Sequence, residues 1–488
     1  MSRKEKPRRS GLVVFLTILM VLMIAATGVV LWMCIRLTTS SELPVPSTEP
    51  QVQLSPETTA PVPTETQTVP TTEPFVPKDP ETVMATATIA SMGDVMCHEP
   101  IYRHAKEADG SYNFDFIFKF AADTISSYDY AVANLETTFN GAPYSGHPHF
   151  NSPETLADAV KNGGFDMLLT ANNHSYDTTL PGMKNTLEVV RAAGLQTLGT
   201  MLNKDEPKYV IQEINGIKIG MLCYTFADSV TGDGRPVLNN NSAVKEKGIV
   251  NFFTYRNLDG FYSEVEGYLT EMEQAGAEAT MLYIHWGTEY ETEAGDTQKK
   301  MAQKLCELGV DVILGGHPHV VQPIELLESS NGHRTVCIYS LGNAVSNQRI
   351  AQMDLKTGHT EDGVIFSVTF EKYSDGKVYL LGVDALPTWV NLRPVSDSKK
   401  EFNILPLKYD AVEQWKELYS LTDDTLESAK KSYGRTMDII GDGLTACKSY
   451  FGSAKTSREE YYYTLANFPE RLEAMNASAE TTAPAAAE

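Results

Sequence analysis

The chain has 488 residues, 42% of them hydrophobic, and a formal net charge of -23 at pH 7. The length allows two or three domains, and the hydrophobic content is that of an ordinary globular core. Such acidity excludes generic nucleic-acid binding, which needs Lys and Arg on phosphates, and argues against lying flat on anionic lipid.

Residues 1–10 form a basic tail. Arg3, Lys4, Lys6, Arg8 and Arg9 outweigh Glu5, so the first 35 residues carry +4 and the remainder -27. Gly11 to Ile35 is a run of 25 residues without a charge, long enough to span a bilayer with some tilt. The basic cluster before it predicts a cytoplasmic N-terminus and an extracellular main domain, in a single-pass protein of the cell membrane. A cleaved signal peptide is the rival reading. Ala26-Thr27-Gly28 offers small residues for it, but the apolar run continues to Ile35. Residues 36–84 read as a linker, with ten Pro and ten Thr between 38 and 80. At ~3.1 Å per residue, polyproline II geometry would reach on the order of 130 Å, a stalk through the cell wall layer. Of six cysteines, the five beyond the apolar run (Cys97, Cys223, Cys306, Cys337 and Cys447) lack C-x-x-C spacing. No disulfide framework or thiolate zinc site is expected.

Residues 85–395 read as one α/β domain. Thr86–Ser91, Tyr130–Leu135, Phe165–Thr170, Met281–His285, Val310–Leu314 and Thr335–Tyr339 are short, apolar and β-prone. Helical patterns lie between several of them, as at Lys184–Ala193 and Thr297–Leu308, each stopped by a glycine. Strand–helix alternation with apolar strands predicts α/β layers. Asn215-Gly216 predicts a hairpin between Tyr209–Ile214 and Ile217–Thr225, and Ser374-Asp375-Gly376 predicts a second, between Gly363–Glu371 and Lys377–Asp384. Residues 396–476 read as a helical extension, with amphipathic patterns at Asp410–Tyr419 and Asp423–Tyr433. Residues 477–488 read as a disordered tail.

Chemistry-bearing residues cluster where these strands end. Taken singly, each has a bland reading. Gly93-Asp94 makes a turn, Glu136 is a solvated strand-end carboxylate, Asn172-Asn173-His174 is a polar loop, and His285 is a packed histidine. Trp286 reads as packing. His317-Pro318-His319 is the most specific element, because a proline pre-sets the turn between two imidazoles directly after an apolar strand and two glycines. Imidazole, carboxylate and amide donors without thiolate suit Mn, Fe or Zn. His147-Pro148-His149 has no apolar strand before it and reads as a loop at the rim. His333 and His359 read as solvated loop residues.

Together the motifs resemble the CapA family of poly-γ-glutamate capsule synthesis proteins, similar to a branch of the calcineurin-like metallophosphoesterase superfamily. The resemblance covers roughly residues 86–390. Its motifs stand in the family's order: Gly-Asp-x-Met at 93–96, Asn-Leu-Glu at 134–136, Asn-Asn-His at 172–174, His-Trp-Gly-x-Glu-Tyr at 285–290, Gly-His-Pro-His at 316–319 and Tyr-Ser-Leu-Gly-Asn at 339–343. It implies a metallophosphatase-like β-sandwich flanked by helices (α/β/β/α), preceded by one N-terminal transmembrane helix, with two divalent metal ions at the strand ends. By that likeness Asp94 and His319 would hold the first metal and Asn173, His285 and His317 the second. Glu136 would bridge them, and His174 would be the general acid. Met96 stands where the superfamily's first motif has its histidine, which leaves the first metal site short of one imidazole. His98, Asn134, Glu289 and Asn343 are secondary candidates. The resemblance implies a membrane-anchored protein of capsule or exopolymer synthesis, with membrane-bound capsule synthesis proteins and an acidic polymer as partners and no nucleic acid. The alternative is a non-catalytic subunit that binds the polymer or serves as a scaffold. A charge of -27 repels polyglutamate, so either role requires bound cations or a local basic patch.

Overall fold

The computed structural model describes residues 82–457. The basic tail, the apolar run, nearly all of the linker and the C-terminal tail therefore lie outside the described residues. Among the described residues no helix is long and apolar enough to cross a membrane.

Seventeen strands are formed among the described residues. They are β1 (Val83–Val95), β2 (Tyr130–Leu135), β3 (Met167–Leu169), β4 (Gln196–Leu198), β5 (Tyr209–Ile214), β6 (Ile217–Phe226), β7 (Ser229–Val230), β8 (Pro236–Val237) and β9 (Phe252–Phe253). Then follow β10 (Ala279–His285), β11 (Val312–Gly316), β12 (Ile324–Glu328), β13 (Arg334–Ile338), β14 (Asn343–Val345), β15 (Asp362–Tyr373), β16 (Val378–Pro394) and β17 (Lys400–Pro406). The first sheet has the order β17-β16-β15-β1-β2-β3-β4, with β14 also on β1; the second runs β12-β13-β11-β10-β6-β5, with β9 on β6. β1 to β4 are mutually parallel, as are β6, β10, β11 and β13.

Strand alternation explains the layers. Ile89, Val132 and Met167 of the first sheet and Met221, Met281 and Leu314 of the second share one buried core between the sheets. Their sequence neighbours point the other way. Ala90, Ala133 and Leu168 pack under helices Glu99–Ala105 (α1), Thr155–Asn162 (α2) and Thr179–Ala192 (α3). Leu222, Leu282 and Ile313 pack under Leu258–Gln274 (α4) and Asp296–Glu307 (α5). Strands covered on both faces read as unbroken apolar runs, which is how they stood out in the sequence. This layering fits a metallophosphatase-like sandwich. Both expected hairpins form, as β5–β6 and β15–β16. Asn215 and Gly216 both have positive φ, 50° and 83°, the geometry a two-residue hairpin turn needs.

Three features differ from the sequence reading. The boundary expected at 395 falls in a hairpin, because β17 pairs with β16 along its whole length. The helix expected over Asp423–Tyr433 runs on to Ser457 (α6). His333 is fully buried, with its ring on the carbonyl of Val310 at 2.9 Å, so it is a core residue and not a solvated one. α6 lies along both sheets. Asp362 of β15 accepts from Ser432 at 2.6 Å and from Arg435 at 2.8 Å on both oxygens, while Ile440, Leu444 and Phe451 enter the inter-sheet core.

Two glycines of α6 give opposite expectations. A Cβ on Gly443 would lie 1.9 Å from the Ile324 carbonyl of β12, whereas one on Gly434 meets nothing within 4 Å. Gly443→Ala is expected to destabilise the protein by about 1–3 kcal/mol through forced separation of helix and strand. Gly434→Ala is expected to stabilise it by roughly 0.5–1 kcal/mol by restricting the unfolded chain. Denaturant midpoints of the two variants check the pair, and equal effects would contradict the contact.

Candidate metal centre

Every motif residue projects from the C-terminal end of a parallel strand or the loop just beyond it. A Cβ on Gly93 would fall 1.8 Å from the Gly342 carbonyl, so only glycine lets β1 cross this close to the turn before β14. That crossing sets Asp94 beside Asn343 and Asn134. Asn134 and Glu136, two apart on one strand end, face the same side. His317 and His319 have φ of 96° and 58°. Non-glycine residues in this region cost about 1–3 kcal/mol each, and such strain collects at functional sites.

The two sheets bring Asp94, Glu136, Asn173, His174, His285, His317 and His319 together, all buried. Glu136 is the focus. Its Oε1 lies 3.5 Å from His285 Nε2, 3.8 Å from His319 Nε2 and 4.0 Å from His174 Nε2. Asn173 Oδ1 lies 2.9 Å from His285 Nε2, and Asp94 Oδ2 lies 3.1 Å from His319 Nδ1. Two sets of donors could each hold one ion: Glu136 with His317 and His319, and Glu136 with Asp94 and His285, the donor atoms of each set lying within 4.8 Å of one another.

The electrostatics fit a cation. Two carboxylates with no exposed surface face each other, an arrangement that a buried positive charge would stabilise. Burial, and then the charge and hydrogen bond of Asp94, push Glu136 well above the usual carboxylate range. Burial also pushes Asp94 up, but the hydrogen bond and charge of His319, with His285 and Asn134, hold it below its ordinary value. Desolvation lowers His285 to about 3 and lowers His317 well below its ordinary value, so both present neutral imidazoles, the form that binds metal. Glu136 Oε1 and His317 Nδ1 are buried without a hydrogen-bond partner. A bound metal ion would satisfy both.

The secondary candidates divide. Asn343 supports His319, with Oδ1 3.2 Å from its Nδ1 and Nδ2 donating to its carbonyl. Asn134 touches both carboxylates. Glu289 is exposed outside the donor sets. His98 belongs to neither set. It stands before α1, its Nδ1 accepts from the Asn347 amide at 3.2 Å, and its ring meets Phe150 edge-on. Met96 is buried, with its amide on the Val345 carbonyl, and brings no imidazole to the site. Trp286 packs as expected, bonded to the Tyr339 carbonyl.

Sequence reasoning missed Asp177. Its Oδ2 lies 2.7 Å from His174 Nδ1, and Asn239 donates to its Oδ1 at 3.0 Å. The signal was the carboxylate three residues after His174, in a loop tight enough for the two to meet. Phe150, anchored through its own amide to Asp177, packs its ring 4.8 Å from that of His174. The rim loop that carries exposed His147 and His149 thus closes over His174, with His149 3.6 Å from Asp177.

The same stretch of chain matches known proteins. The family model for the bacterial capsule synthesis protein PGA_cap matches residues 88–348, more than half of the chain and all six motifs. The capsule biosynthesis protein CapA of Bacillus anthracis is 29% identical over 269 residues, 54% of this chain and 60% of that one. The PGA biosynthesis protein CapA of Bacillus subtilis is 26% identical over 357 residues, 71% of this chain and 81% of that one. The match thus spans about three fifths of the Bacillus anthracis protein's length and four fifths of the other's. The chain belongs to the CapA family of bacterial capsule synthesis proteins.

Proposed function

We propose that this is a membrane-anchored, extracytoplasmic protein of capsule or poly-γ-glutamate synthesis or export whose metallophosphoesterase-type centre holds two divalent cations and hydrolyses a phosphorylated or amide-linked intermediate. The observation that carries the reading is Glu136, which belongs to both sets of metal donors and whose Oε1 is unpartnered. By the family resemblance Asp94 and His319 would hold one ion, Asn173, His285 and His317 the other, and Glu136 both; the donor sets in the structure instead group His317 with His319 and Asp94 with His285. Ions bound there supply polarisation of a phosphoryl or carbonyl oxygen and activation of water at neutral pH.

The protein's own residues do the rest. Asp94 and Glu136 bring the negative charge that balances the ions. His174 directs Nε2 toward the centre, 4.0 Å from Glu136 Oε1, where it would protonate a leaving group. Asp177 on Nδ1 fixes the orientation and tautomer of the ring. Phe150 covers the ring against bulk water. The apolar run 11–35 would anchor the chain, and the Pro/Thr-rich stretch would carry the domain outward. Membrane-bound capsule synthesis proteins and the acidic polymer would be its partners, with the cations offsetting charge repulsion. Met96 favours a second reading, a polymer-binding scaffold with one structural ion.

Metal content of the purified full chain separates the two. About two equivalents of Mn, Fe or Zn per chain, falling when His285 becomes Ala, is the expected result for a site with a shared ligand. One equivalent or none, in folded protein given metal, would overturn the two-ion hydrolase.

A further inference from the structure

The amide of Asn134 is bonded to both carboxylates of the centre at once. Its Nδ2 donates to Asp94 Oδ1 at 2.8 Å and to Glu136 Oε2 at 3.4 Å. The other oxygen of each carboxylate is the one that faces imidazole: Asp94 Oδ2 lies 3.1 Å from His319 Nδ1, and Glu136 Oε1 lies 3.5 Å from His285 Nε2. The amide cannot turn over freely. Asn172 Nδ2 donates to Asn134 Oδ1 at 3.0 Å and to the Leu135 carbonyl at 2.8 Å, which fixes oxygen on that side and the NH2 group on the carboxylate side. Strand register supplies the placement, because Asn134 pairs directly with Asp94 across β1 and β2 and lies two residues before Glu136.

We propose that Asn134 is a positioning residue that occupies one oxygen of Asp94 and one of Glu136, so that each carboxylate offers a single oxygen to the cations. The proposal rests on the metal-centre reading above. A free carboxylate can chelate an ion through both oxygens, which changes coordination number and geometry. An amide that bonds one oxygen of each disfavours that option and fixes how the two carboxylates are turned. Residues that bond to metal ligands in this way commonly govern affinity by roughly 10–100-fold. Asn172 acts one step further out, by holding the Asn134 amide the right way round.

The test uses the full chain loaded with Co(II), whose visible absorption reports coordination, together with Mn(II) affinity measured against a chelator. Asn134→Leu keeps the shape and removes both donors. Asn134→Ser keeps a hydroxyl that is too short to span both carboxylates. Both variants are expected to alter the Co(II) spectrum and to weaken Mn(II) binding about tenfold or more. Loss of packing alone would lower the melting temperature and leave the spectrum unmoved. Should Asn134→Leu fail to fold, Asn134→Ser decides. Wild-type spectrum and affinity in the folded variants would overturn the role of Asn134 alone. A wild-type chain that takes up no Co(II) would overturn the metal-centre reading and this proposal with it.

Discussion

Glu136→Gln is expected to make the metal-free protein more stable and to abolish its stabilisation by metal. Glu136 and Asp94 are both fully buried, and burial and the neighbouring Asp94 push Glu136 toward protonation. In the metal-free fold Glu136 Oε1 has no hydrogen bond to offset its burial. Glutamine keeps the shape but need neither bury a charge nor take up a proton beside Asp94, so the gain is on the order of 1–3 kcal/mol. The same change removes the ligand common to both donor sets. A wild-type chain with metal a thousandfold above its Kd should gain ~4 kcal/mol from binding, and the variant should gain almost nothing. Thermal melts of both proteins with and without Mn(II) read all four states. A variant that is less stable without metal would mean that Glu136 serves as a structural partner of the surrounding imidazoles, and the metal centre would lose its main support.

The motifs were legible because the parallel strands announce themselves. A strand buried on both faces has almost no polar residue until it ends, so Asn134, His285 and His317 stand out as the first polar groups after apolar runs. The Asn215-Gly216 turn was legible for a local reason, its positive φ at both residues. What could not be read depends on contacts between distant loops. Asn239 and Phe150 reach His174 from segments with no periodic pattern, and Asn343 meets His319 only because β14 pairs with β1. β17 was missed since the polar turn before it resembles a linker. Its buried residues, Phe402 and Ile404 on one face and Leu405 on the other, make too short a pattern to weigh. His333 misled because it follows Asn331-Gly332, a surface turn, while its own ring folds back under Val310.

His174→Gln separates chemistry from scaffolding more sharply than any ligand variant. His174 is in neither donor set, so the variant should bind the wild-type amount of metal. It removes the group whose Nε2 faces the centre and whose Nδ1 is held by Asp177. If the centre is hydrolytic, loss of a positioned general acid should cost about 10²–10⁴ in rate. Asp177→Asn should act in the same direction, because an amide does not fix the orientation and tautomer of the ring as a carboxylate does. The measurement is polymer formed by cells that carry each variant in place of the natural chain, alongside metal content of the purified protein. His319→Ala, which removes a ligand and with it the metal, sets the scale for complete loss. Polymer lost in His174→Gln with metal retained assigns the proton on His174 to the reaction. Polymer unchanged in His174→Gln but lost in His319→Ala makes the metal a structural element, and the protein then serves capsule synthesis by holding the polymer or its partners.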